Sequence, residues 1–148
     1  RILGVDPGTA IVGYSIVDFE KGKYQIIDYG CIYTHKDEDM PHRLEKIYNE
    51  LETLIKLWKP SDMAIEELFF FKNQKTVIKV GQARGVIMLC GQKNDLDIYS
   101  YTPIKVKMGV AGYGRADKAQ MVRARHINSV SALFDNQMTV CFCKDNNL

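Results

Sequence analysis

The chain has 148 residues, 46% hydrophobic and 26% charged, with a formal net charge of +2. That length suits a single domain spanning residues 1–148, and the composition excludes a disordered chain, a collagen and a coiled coil. No apolar run approaches the roughly 18 residues a membrane span requires, and no basic stretch followed by an apolar run marks a secretion signal.

Ile2–Asp6 is a short apolar run closed by Pro7-Gly8, which predicts a first strand ending in a turn. It begins directly after Arg1, so an initiator Met is expected to have been lost. Residues 10–19 mix apolar and small side chains, Lys21-Gly22-Lys23 reads as a hairpin turn, and residues 24–34 are rich in β-branched and aromatic types. Three strands joined by short turns predict an antiparallel meander. Over residues 42–58 the period changes. Leu44, Ile47, Tyr48, Leu51, Leu54, Ile55 and Trp58 recur at steps of three and four, the apolar stripe of a helix that Lys59-Pro60 ends. Residues 62–66 predict a fourth strand, 74–92 a second helix, and 96–101 a fifth strand. Pro103 opens a short helix to 110, Gly112-Tyr113-Gly114 breaks it, and Asp117 caps a last helix to about 134. The order is that of an α/β domain, a mixed sheet with helices on its faces.

Charge is unevenly placed. Residues 1–71 carry 8 Lys and Arg against 13 Asp and Glu, whereas residues 72–126 carry 11 against 3. A basic second half on a near-neutral chain points to an anionic partner such as nucleic acid, although Lys and Arg also serve simply to solvate helix faces. The four cysteines (Cys31, Cys90, Cys141, Cys143) follow no disulfide-framework spacing, which favours the reducing cytoplasm.

Two strands end in acids, Asp6 on the first and Glu66 on the fourth. Were those strands parallel neighbours, two carboxylates would meet at one edge of the sheet. The pair would then take up a proton or a cation, and all-oxygen ligands favour Mg²⁺ or Mn²⁺. Gly8 and Gly13 flank the first turn, where glycine allows close approach of a phosphate or a positive φ. The Asp-x-Gly-Thr arrangement also looks like the phosphate motif of actin-like ATPases and sugar kinases, but those pair two such domains around a nucleotide. Phe69-Phe70-Phe71 cannot all face one core: either one is exposed beside Lys72 to stack on a base, or all are tucked under a loop. Gly81 and Gly85 share a helix face and suggest close packing, on the sheet or across a dimer axis. Lys105, Lys107, Arg115 and Lys118 surround a glycine-rich turn near helix starts, where cations oppose the helix dipole and a phosphate ligand would explain them.

Together these segments resemble the RuvC-type Holliday junction resolvases. The matching stretches are Leu3 to Gly8, Gly30-Cys31-Ile32, Arg43-Leu44 with Ile47-Tyr48, Ala64 to Phe69, Lys72-Asn73, Val80 to Gly85, Tyr101, Lys105 to Lys107, and Gly112 to Gln120. The resemblance implies a ribonuclease H-like fold with a five-stranded mixed sheet, its first strand beside its fourth. It implies a Mg²⁺-dependent homodimer, with Mn²⁺ as substitute, making paired nicks in four-way junction DNA, with a branch-migration motor as a further partner. Asp6 and Glu66 would hold metal, Phe69 would stack near the junction centre, and Lys107 and Lys118 would sit by the scissile phosphate. Lys72, Lys105 and Arg115 would contact DNA, and Gly81 and Gly85 would lie at the dimer interface. Residues 127–148 depart from the family pattern. They lack its closing run of acids and leave only Asp135 and Asp145 as carboxylates. A catalytically impaired junction-binding protein is therefore an alternative expectation, and an actin-like nucleotide-binding fragment a more distant one.

Overall fold

The computed structural model describes residues 1–21, 23–68 and 74–106. Its elements are β1 (Ile2–Asp6), β2 (Ile11–Glu20), β3 (Lys23–Tyr33), α1 (Met40–Trp58), β4 (Asp62–Glu66), α2 (Gln74–Lys93) and β5 (Asp97–Tyr101). The last described residues, 103–106, are helical. Thr102 caps that turn, its hydroxyl accepting from Lys105 N at 3.3 Å and its carbonyl from Val106 N at 3.0 Å, with Pro103 at the first position, where its missing N–H costs nothing.

The five strands form one sheet in the order β3-β2-β1-β4-β5. β1–β2 and β2–β3 are antiparallel, as the short turns predict, and β1–β4 and β4–β5 are parallel. Parallel neighbours need a crossover, and the two helices supply it. α1 follows its apolar stripe: Ile47, Leu51 and Ile55 are buried, and Leu44, Tyr48, Leu54 and Trp58 pack at their margins. It starts two residues before the predicted 42, because Asp39 caps it by accepting from His42 N at 3.0 Å and Pro41 fits the first turn. Lys59 ends it in the left-handed conformation, its N–H reaching Ile55 O at 2.8 Å.

One core joins Leu3, Val5, Val12, Ile16, Ile32, Met63 and Ile65 of the sheet to Ile47, Leu51, Ile55, Ala83, Ile87 and Cys90 of the helices. On β1 and β4 these are the odd-numbered positions. Side chains alternate across a strand, so the even-numbered ones, Gly4, Asp6, Ala64 and Glu66, face the side away from α1 and α2.

Candidate active site

The β1–β4 register pairs Val5 with Ile65, which brings the next residue of each strand, Asp6 and Glu66, level at the same end of the sheet and on the same face. The two carboxyl groups are hydrogen-bonded to each other. Burial pushes the Asp6 carboxyl above the ordinary carboxylate range, and the bond to Glu66 offsets part of that rise. Without a cation such a pair is held together by a shared proton. With one, it offers oxygen ligands from two rigid strands, the donor set that suits a hard divalent ion. The residues therefore fit Mg²⁺ or Mn²⁺. Among the described residues no cluster of three or more His, Cys, Asp or Glu side chains forms, so Asp6 and Glu66 are the described part of any such site.

The surrounding chain fixes both acids. After Asp6 the β1–β2 turn is so tight at Gly8 that a Cβ there would collide with the Ile11 carbonyl oxygen; the glycine is required by space. The Thr34 hydroxyl donates to the Thr9 carbonyl, Thr34 N donates to Ala10 O at 3.0 Å, and buried Arg43 donates through Nε to the Thr34 hydroxyl at 2.8 Å. On the other strand, Glu67 N donates to Tyr101 O at 2.8 Å, and Arg84 of α2 donates through Nε to Glu66 O at 3.2 Å. Leu68 lies against Gly81, its Cδ1 3.6 Å from where a Cβ would stand.

The expected convergence of Asp6 with Glu66 is thus present. Lys105 is exposed on the short helical turn after β5. Phe69, Lys72, Lys107, Arg115, Lys118, Asp135 and Asp145 lie outside the described residues. Close packing, on the sheet or across a dimer axis, is the expectation for Gly81 and Gly85, and the two glycines differ. Gly81 meets Leu68, but Gly85 is exposed, with no atom of the described residues within 4 Å of its Cβ position, because that face of α2 points away from the sheet. Ile78, Gln82 and Leu89 share the exposed stripe, with Ile78 63% and Leu89 54% exposed. Sequence reasoning missed Arg84 and Arg43. Each stood inside a matched stretch, but an arginine's reach across elements leaves no trace in local spacing.

The family profile described as "Crossover junction endodeoxyribonuclease RuvC" matches residues 2–135. The crossover junction endodeoxyribonuclease RuvC of Fusobacterium nucleatum subsp. nucleatum is 55% identical over 121 residues, covering 82% of this chain and 64% of its own length. That of Petrotoga mobilis is 48% identical over 122 residues, covering 82% of this chain and 75% of its own. The chain thus spans somewhat under two thirds of the first relative and three quarters of the second. The Thermus thermophilus RuvC structure superposes with a TM-score of 0.76 at 25% identity, covering 99% of this chain and 96% of that one. A profile match over most of the length, with relatives identical at about half of the aligned positions, means that the chain belongs to the RuvC family of crossover junction endodeoxyribonucleases.

Proposed function

We infer that the protein is a structure-selective endonuclease that resolves Holliday junctions by paired, metal-dependent phosphodiester hydrolysis in DNA recombination and repair. The observation that carries this reading is the hydrogen-bonded Asp6–Glu66 pair on adjacent parallel strands, within a chain of this family. Asp6 and Glu66 would hold Mg²⁺, or Mn²⁺ in its place. The chemistry the ion supplies when bound is charge for a phosphodiester oxygen and acidification of water. The chain's own part is to hold the two carboxylates at a fixed separation and to seat the DNA backbone above them. Lys107 and Lys118 offset charge developing on the scissile phosphate. Lys72, Lys105 and Arg115 contact neighbouring phosphates, and Phe69 stacks on a base near the junction centre.

Paired nicks need two sites related by a two-fold axis, which calls for a homodimer. The stripe of Ile78, Gln82, Gly85 and Leu89 supports one: it exposes two large apolar side chains around a glycine that lets a second helix approach closely. A branch-migration motor that delivers the junction is a compatible further partner. The DNA substrate points to the compartment holding the chromosome, the cytoplasm in bacteria such as those of the relatives.

A second reading, a junction-binding protein that cleaves poorly, is favoured by one observation. Asp6 and Glu66 stand without a third described ligand, and residues 127–148 carry only Asp135 and Asp145. The test is a nicking assay on a synthetic four-way junction with Mg²⁺, run beside a gel shift with the ion chelated. Symmetric nicks bearing 5′-phosphates support the nuclease, and a shift without nicks supports the binder. If about six phosphates are neutralised per dimer, log affinity falls with log salt at a slope near −5. Tight ATP binding with no preference for DNA would overturn both readings.

A further inference from the structure

Arg84 sits on α2, yet it reaches across to the end of β4. Its Nε donates to Glu66 O at 3.2 Å, one terminal nitrogen donates to the Ser100 hydroxyl on β5 at 2.7 Å, and the other lies 3.1 Å from Met88 Sδ. The oxygen that Arg84 holds belongs to the same peptide group as the Glu67 N–H, which donates to Tyr101 O at 2.8 Å. That one peptide plane, immediately after Glu66, is therefore gripped at both ends: at its oxygen by a guanidinium, and at its nitrogen by the neighbouring strand.

The consequence is geometric. Rotation of a peptide plane changes ψ of the residue before it, so a plane held on both sides fixes the backbone of Glu66 and the direction in which its Cα–Cβ bond leaves the strand. Strand pairing holds Glu66 from one side only: the β4–β5 ladder reaches Glu66 and Tyr101, whereas the β1–β4 ladder has its last register pair at Val5 and Ile65, one residue earlier, so Arg84 supplies the hold on the peptide oxygen. Ordinary strand ends fray, whereas this one is tied to a helix. Guanidinium suits the task better than ammonium, since its rigid fork can hold a carbonyl and a hydroxyl at once. One turn back on the same helix, Gly81 receives Leu68, so α2 also steers the chain as it leaves Glu67.

We propose that Arg84 is a positioning residue for the metal-binding carboxylate of Glu66, acting through the Glu66–Glu67 peptide group that it clamps together with Tyr101. It touches neither the ion nor the DNA in this role, and it rests on the reading of Asp6 and Glu66 as metal ligands. Loss of partners that orient a ligand typically costs 10-fold to 100-fold in metal affinity.

The test is a Mn²⁺ titration of the full chain followed by electron paramagnetic resonance, with no DNA present, on the wild type, Arg84→Met, Glu66→Gln and the double variant. The expected result is that Arg84→Met weakens Mn²⁺ binding by about 10-fold or more in the wild-type background and adds nothing once Glu66 is Gln. An equal further loss in the Glu66→Gln background, or unchanged affinity in Arg84→Met, overturns the positioning role while leaving the metal ligands in place. A wild type that takes up no Mn²⁺, or a Glu66→Gln variant that binds as well as the wild type, overturns the metal reading itself and the proposal with it. Arg84→Lys keeps the stem and the charge but loses the fork. Should the Met variant fail to fold, the Lys variant carries the same comparison, with a smaller loss expected in the wild-type background and none beyond Glu66→Gln.

Discussion

The carboxyl groups of Asp6 and Glu66 are hydrogen-bonded to each other across two parallel strands that only a helical crossover could have made neighbours. Burial makes this an unfavourable place for two negative charges, so without a cation the pair keeps a proton between its two carboxyl groups. Replacing Asp6 with Asn, or Glu66 with Gln, is expected to lower junction nicking by about two to three orders of magnitude, the scale for losing one fixed electrostatic group at a reaction centre. Junction affinity measured by gel shift with the metal chelated should stay within about twofold. The same Asp6→Asn variant should match the wild type in thermal midpoint when EDTA is present, because the amide N–H can donate to the Glu66 carboxylate in place of the shared proton. A large loss of junction affinity in both variants would contradict the assigned roles.

The exposed stripe on α2 gives a second expectation. Leu89→Glu places a charge on a 54% exposed position outside the core cluster, so the folded monomer should be unaffected in its circular dichroism. Sedimentation should then show a monomer at concentrations where the wild type is a dimer, and paired nicking should be lost with it. A wild type that sediments as a monomer at tens of micromolar would remove the dimer from the account.

Buried Arg43 links α1 to the turn after β1 through Thr34, whose hydroxyl in turn reaches the Thr9 carbonyl. Arg43→Met keeps much of the stem volume but removes a charged hydrogen bond. Urea unfolding should show a loss of about 1.5–3 kcal/mol. A smaller loss, below about 0.5 kcal/mol, would mean that the Thr34–Thr9 contact secures the turn unaided.

Cys90 offers a check on the core by pH. Burial between α1 and α2 pushes its thiol up to about 11, and Sγ lies 3.8 Å from the Tyr48 carbonyl. At pH 8 roughly one thiol in a thousand is then ionised, and the thiolate is the form that alkylates. Iodoacetamide at pH 8 should leave the Cys90 peptide unlabelled in the folded protein and label it readily in urea, as peptide mapping by mass spectrometry would show. The folded-state reaction should rise with pH towards 11. Rapid labelling at pH 8 without denaturant would mean that the helix layer opens.

The strands and helices were legible because their side-chain periods are local properties. The stripe from Leu44 to Trp58 is written directly in the residues, and the start of α1 at Met40 could have been found from Asp39 and Pro41. The pairing of β1 with β4 is a different matter. Nothing in Ile2–Asp6 or Asp62–Glu66 specifies a parallel partner, and the adjacency of Asp6 and Glu66 came from the family resemblance. The Arg84 tie to Glu66 was not legible at all, since it joins a long side chain to a backbone oxygen, a contact any residue's carbonyl could have made. Gly81 and Gly85 show a related limit: a glycine signals that something can come near, but not whether that neighbour belongs to the same chain.

The acids and the helical layer lie on opposite sides of the sheet, and the separation has a practical use. A fluorophore attached through a cysteine at Leu57, 64% exposed on α1, would be separated from Asp6 and Glu66 by the sheet. Such a label could report tumbling or arrival at a target in real time without standing in the path of the nucleic acid.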